Sequence, residues 1–96
     1  MEKLPNLDPI FHQVVRTRLA VLISQKAHSF TQLKLALSIT DGNLDAHLRK
    51  LSASGYLHSK MILDGRPHTI YELSESGLTA FKKYRESIKR LIQLSN

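Results

Sequence analysis

The sequence predicts a mainly α-helical fold with one small β-hairpin, and three observations carry that prediction. Apolar residues recur at helical spacing through most of the chain, one stretch at 56–73 switches to alternating β-branched and aromatic residues about a turn, and capping residues mark the switches. With 96 residues, the length is that of one domain with one modest core. The expected organisation is a single domain over 1–96, with a first helix at 8–25, a helix pair at 31–54, the hairpin at 56–73 and a last helix at 74–94.

Asp8 is the N-cap candidate of the first helix, and Pro9 fits its first position because the missing N–H is not needed there. Ile10, Phe11, Val14, Val15, Leu19, Leu22 and Ile23 keep helical spacing to about Gln25, with the β-branched Val14-Val15 pair as the weakest point. More than one face is apolar, so this helix needs either a second partner or a deeper core of its own chain. His28-Ser29-Phe30 is a candidate short strand. Thr31 then caps a helix whose apolar set is Leu33, Leu35, Ala36 and Leu37, and Ser38-Ile39 turns the chain.

Thr40 caps the next helix, expected from about Asp41 to Ser54, with Gly55 as its left-handed stop. Leu44, Leu48 and Leu51 stack on one stripe, and a rotation of about 100° per residue puts Gly42, Asn43, Ala46, Arg49, Lys50 and Ala53 on or near the opposite face. The hairpin strands are Tyr56 to Leu63 and His68 to Leu73, joined by Asp64-Gly65-Arg66-Pro67 into a two-stranded ribbon with Leu63 facing His68. Ser74 caps the last helix, and Glu75 sits favourably in its first turn. Leu78, Phe81, Tyr84, Ile88 and Leu91 follow close to the period of about 3.5 residues of a packed helix pair, flanked by Lys82, Lys83, Arg85, Lys89 and Arg90.

Four motifs carry a resemblance: DGNLDAHLRKL, the S-G-Y-L after it, the return G-R-P-H-T-I-Y-E-L, and the S-E-S-G-L that opens the last helix. Together they make the chain resemble the winged helix-turn-helix domain of small MarR- and ArsR-like transcription regulators. The resemblance implies that the leucine-striped helix enters the major groove, that the hairpin, or wing, touches the adjacent backbone or minor groove, and that the flanking helices make a dimer. The expected fold is then a winged helix-turn-helix, mainly α with a small β-hairpin, whose long N- and C-terminal helices form a dimer interface. On these residues the recognition helix would offer Asn43, Asp45, Ala46, Arg49 and Lys50, and the wing Lys60, Arg66 and His68. The homodimer interface would take Phe11, Val15, Leu19, Phe81, Tyr84, Ile88, Leu91 and Ile92.

The chemistries on the recognition helix are distinct. Asn43 suits adenine, Ala46 a thymine methyl, Arg49 guanine or a phosphate, and Asp45 cytosine N4. Asp45 can alternatively orient Arg49, or serve only as a helix-stabilising acid in the first turn.

Fourteen Lys and Arg against eight Asp and Glu give a net charge of +6, which favours a polyanionic partner. The charge is uneven: residues 10–40 carry +4 and 74–96 carry +3, while 41–73, the stretch the resemblance makes the DNA reader, is neutral. That neutrality keeps a second class open, a winged helix that docks another protein. A third reading lays the basic last helix on an anionic membrane, but Phe81 and Tyr84 are better used in packing.

No cysteine is present, so no disulfide framework or thiolate metal site is supported. No apolar run approaches the roughly 18 residues of a membrane span, so no membrane partner is expected and the expected location is the cytoplasm. The chain lacks a G-x-S-x-G elbow, a phosphate-cradling glycine loop, an H-E-x-x-H pair and clustered carboxylates, so no catalytic residue and no cofactor is expected. Five histidines, His12, His28, His47, His58 and His68, share no i, i+4 helical face, and the hairpin register set by Leu63 and His68 puts His58 opposite Leu73, so no metal site is expected within one chain. A small-molecule effector is not legible, because its pocket would be lined by the same apolar residues as a core. The partners expected are double-stranded DNA and a second copy of the chain.

Overall fold

The computed structural model describes residues 3–95. Its elements are α1 (Val14–Gln25), β1 (His28–Ser29), α2 (Phe30–Leu37), α3 (Asp41–Ala53), β2 (Leu57–Asp64), β3 (Arg66–Leu73) and α4 (Glu75–Gln93). The architecture is mainly α-helical with a small winged hairpin.

The first departure from expectation lies at the N-terminus, where the helix anticipated from residue 8 begins only at Val14. Asp8 does cap, but what it caps is a separate turn: its Oδ1 accepts from Ile10 N at 2.9 Å, and its carbonyl accepts from Phe11 N and His12 N. Gln13, extended at φ −153°, is the true N-cap, and its side chain accepts from Arg16 N. The break falls just before the β-branched pair, where helix propensity is weakest. It delivers Phe11 into the core, fully buried, with its ring stacked on Tyr56 at 5.1 Å and tilted against Phe81 at 5.1 Å. The carbonyls opened by the break are not left bare, since Thr17 Oγ1 donates to Phe11 O and Arg16 Nε to Ile10 O.

The second departure is the cap of α2. Ser29, not Thr31, caps it through a reciprocal capping box with Gln32, so the helix starts at Phe30. This confines the strand to His28–Ser29, which pairs antiparallel with β3 (His28 opposite Tyr71, Ser29 opposite Ile70). The ribbon is thereby a three-stranded sheet of order β1-β3-β2. Between α2 and α3 the chain turns at Ser38, the one non-glycine residue at positive φ (53°) among those described, and Ile39 N reaches back to Lys34 O.

Thr40 caps α3 as expected, its Oγ1 accepting from Asn43 N, and Leu44, Leu48 and Leu51 are buried. Each such leucine contributes about 1.5–3 kcal/mol of burial. Gly55 at φ +77° ends the helix in a Schellman motif, with Tyr56 N donating to Leu51 O and Gly55 N to Ser52 O.

The third departure is the wing register. Gly65 alone makes the tip, at φ +79°, with Asp64 opposite Arg66, so Leu63 faces Pro67 rather than His68. His58 therefore lies opposite Glu72, not Leu73, and His68 opposite Ile62. A left-handed glycine lets the chain reverse in fewer residues than the expected four-residue loop, which shifts every pair by one.

At the base of the sheet, Ser74 caps α4 by accepting from Gly77 N at 3.0 Å, while its own N–H goes to Tyr56 O. Gly77 is pressed so closely on Tyr56 that a Cβ there would fall on the Tyr56 carbonyl oxygen. The core gathers the leucine stripe of α3, Leu33 and Leu37 of α2, Leu19 and Ile23 of α1, Leu73, and Phe81 and Tyr84 of α4.

Candidate nucleic-acid interface

The leucine stripe fixes which side of α3 faces outward. Asn43, Asp45, Ala46, Arg49 and Lys50 are all exposed on the side that the leucines leave free. Arg49 Nε is held by Asp45 Oδ2 at 2.8 Å, one helical turn apart, with the two side chains 80% and 52% exposed. An exposed i, i+4 pair adds only about 0.3–0.5 kcal/mol to stability, so its main consequence is to orient the guanidinium while leaving its terminal nitrogens for another acceptor. Lys34 of α2 meets Asp41 at 2.7 Å, tying the two helices together and compensating the acid at the start of α3.

The inner edge of α3 holds a contact that the sequence did not announce. Half-buried His47 lies 3.1 Å by its Nδ1 from an Arg16 amino group, and the same guanidinium donates to Ile10 O at 2.6 Å. Arginine only donates, so His47 Nδ1 is the acceptor and the ring is neutral. Burial first, and then the Arg16 charge, hold the His47 pKa below its ordinary 6.5. One of the four cations of residues 10–40 thus braces α3 against the N-terminal turn. No single-sequence signal marks this, because the partners are far apart in the chain.

The wing has two unlike faces, since residues directly opposite in an antiparallel pair share a face. One carries the pairs His58/Glu72, Lys60/Ile70, Ile62/His68 and Asp64/Arg66, so Lys60, Arg66 and His68 lie together on it. Lys60 and Arg66 are exposed, whereas His68 is half-buried with its Nδ1 3.1 Å from Arg66 O. The other face carries Ser59/Tyr71, Met61/Thr69 and Leu63/Pro67.

The residues anticipated at a dimer interface divide. Phe11, Leu19, Phe81 and Tyr84 are buried in the core of their own chain, Phe81 and Tyr84 at the floor of a groove between α1 and α4. Val15, Ile88 and Leu91 are half-buried, and Ile92 is 64% exposed. An open apolar groove of about 620 Å³ runs between α1 and α4, with Val21, Ile88 and Ile92 on its walls. Val14, expected only as part of the helix's apolar set, and Val21, not singled out by the sequence, are both exposed on α1; helical spacing alone cannot separate a stripe facing the core from one facing out.

Among the described residues no group of three or more His, Asp or Glu side chains could hold a metal ion, and no helix is long and apolar enough to cross a membrane.

Residues 15–92 match the winged helix DNA-binding domain family. An uncharacterised protein of Methanocaldococcus jannaschii is 41% identical over 88 residues, 90% of this chain and 92% of the other. A transcriptional regulator homologue from Pyrococcus horikoshii superposes with a TM-score of 0.81 at 28% identity, over 88% of this chain and 85% of that one. A MarR-family protein of Enterococcus faecalis has the same fold, with a TM-score of 0.74 at 21% identity over 88% of this chain and 76% of its own.

Proposed function

Because the chain belongs to the winged helix DNA-binding domain family, closely related to the MarR and ArsR transcriptional regulators, and so has a DNA-binding regulatory role, we propose that it binds double-stranded DNA sequence-specifically as a homodimer. The observation that carries this reading is the outward face of α3, where Arg49 is braced by Asp45 among small and polar neighbours, on the side opposite the buried leucines. Such a face is slim enough to approach base edges, and Asn43, Ala46 and Arg49 supply different edge chemistries. In this reading residues 1–96 act as one winged-helix unit. The wing adds phosphate contact through Lys60 and Arg66, with His68 beside them.

The dimer reading rests on the apolar surface left on α1 and α4, where Val14, Val21 and Ile92 are exposed. A symmetric pairing of these helices would cover that surface and space two recognition helices for two half-sites. Sedimentation of the intact chain at micromolar concentration tests it: a dimer is expected, and Ile92→Glu should give a monomer.

A mobility-shift titration against sheared genomic DNA over a range of salt tests DNA binding. Affinity should fall steeply with salt as phosphate-bound counterions are displaced. The neutral charge of residues 41–73, where Asp45 pairs with Arg49 on α3 itself, favours the alternative of a protein-docking module, and absence of binding at low salt would decide for it.

A further inference from the structure

The two edges of the sheet are guarded unequally at the wing tip. In the order β1-β3-β2, β2 has a neighbour on one side only, and its ladder with β3 runs unbroken from Leu57 to Asp64. The outer edge of β3 is open from Arg66 to Thr69, past the end of β1, but there Pro67 has no N–H to offer a further strand. No proline, glycine or bulge interrupts β2, and its one edge guard is Lys60. Its side chains are open as well, with Leu63 82% exposed and Met61 66%. Such an edge is a template for another strand.

We propose that β2 pairs antiparallel with β2 of a second copy, about a two-fold axis through Ile62, joining the two sheets wing to wing. Opposite residues of an antiparallel ladder turn their hydrogen-bonding groups to the same side, so a two-fold pairing of identical strands must centre on a residue. Centred on Ile62, Lys60 meets the partner's Asp64 on one face, Met61 meets the partner's Leu63 on the other, and symmetry repeats both pairs. Centring on Lys60 would set the two lysines against each other. Centring on Met61 would set Lys60 against Ile62, and centring on Leu63 would set Asp64 against Ile62. Of these registers the Ile62 one alone matches charge with charge and apolar with apolar. Neither Lys60 nor Asp64 has an ion-pair partner among the described residues, so both are available, and a lysine that would repel a foreign strand is here complemented.

Residues 60–64 of two strands bury less than the about 1,200 Å² of a stable interface, so the contact is transient alone and persists where copies are held close. On the DNA-binding reading above, neighbouring molecules on one duplex are so held, and the paired wings would make their binding cooperative, with Lys60 neutralised and Arg66 left for phosphate. The pairing itself does not rest on that reading.

The test needs no DNA. The chain has no cysteine, so single cysteines report contacts cleanly. In the Ile62 register, Ile62→Cys brings two identical positions to a Cα separation of about 4.5–5.5 Å, within disulfide reach. Ser59→Cys, the near-isosteric control on the same exposed edge, faces the partner's Gly65 instead. Under mild oxidation at about 0.1 mM protein, suited to a weak contact, Ile62→Cys should form a disulfide dimer roughly tenfold faster than Ser59→Cys. Adding Asp64→Lys should slow it roughly two- to tenfold by setting like charges opposite, and adding Lys60→Asp to that variant should restore the rate. Adding Ile92→Glu should leave the disulfide forming, because the wing contact is separate from α1 and α4. Equal rates for Ile62→Cys and Ser59→Cys overturn the pairing and leave the edge to an extended segment of another protein. A double charge reversal that does not restore the rate overturns it as well, and so does loss of the disulfide in Ile92→Glu, which would assign the contact to the helix dimer.

Discussion

The root and the tip of the wing are the same two strands held in opposite ways. At the root, Leu73 is buried, Tyr56 O accepts from Ser74 N, Gly55 O accepts from both Ser74 Oγ and Ser76 Oγ, and Gly77 lies against Tyr56 without room for a methyl group. At the tip, Met61, Leu63, Gly65, Arg66 and Pro67 are exposed, and the strand ladder is what holds them. The difference teaches that packing ends about halfway along the ribbon. Substitutions inward of that point should act on stability, and those outward of it on binding. The helix α3 repeats the contrast across its width, with leucines inside and Asp45 and Arg49 outside.

The largest expected effect is at the root. Gly77→Ala forces its Cβ onto a backbone oxygen that cannot rotate away, and should cost about 3 kcal/mol of stability, read by denaturant unfolding. A variant as stable as wild type would remove the root as an anchor.

Asp45→Ala sharpens the contrast on α3. If Asp45 reads a base or aims Arg49, preference at one operator position should relax by roughly 1–3 kcal/mol while nonspecific binding holds or tightens. An unchanged selected-site profile, with only a small loss of helix stability, would reduce Asp45 to a surface acid paired with Arg49, since the first-turn acid of α3 is Asp41.

At the tip, Arg66→Ala should leave stability within about 0.5 kcal/mol. It should weaken all DNA sequences about equally and flatten the salt dependence by roughly one counterion per subunit. Loss at a single site only would make Arg66 a base reader.

The smallest effect tests the inner edge of α3. The folded His47 pKa lies below 6.5, so below that pH the unfolded chain binds the proton more readily than the folded one. The contribution of His47 is thus complete above about pH 6.5 and is lost as pH falls toward the depressed folded pKa. Melting temperatures between about pH 5 and 8 should decline less on the acid side in His47→Gln, which keeps an acceptor for Arg16 but does not titrate. Parallel pH curves for the two proteins would show that the Arg16 contact carries no proton linkage.

The sequence by itself determined what depends on neighbours within a turn or two. Leu44, Leu48 and Leu51 had to share a stripe, Thr40 and Ser74 had to be caps, and Gly55 had to end its helix, because periodicity, capping and left-handed φ are local properties of the chain. The outward face of α3 followed from the same periodicity. Tertiary structure alone decided the rest. It broke the first helix at Gln13 so that Phe11 could stack on Tyr56, and moved the α2 cap to Ser29 so that His28 could pair with Tyr71. It brought Arg16 to His47 and packed Phe81 and Tyr84 against Phe11 in the core. In each case the deciding partner lies tens of residues away, and a local pattern shows that a side chain is apolar or charged without showing which distant surface will meet it.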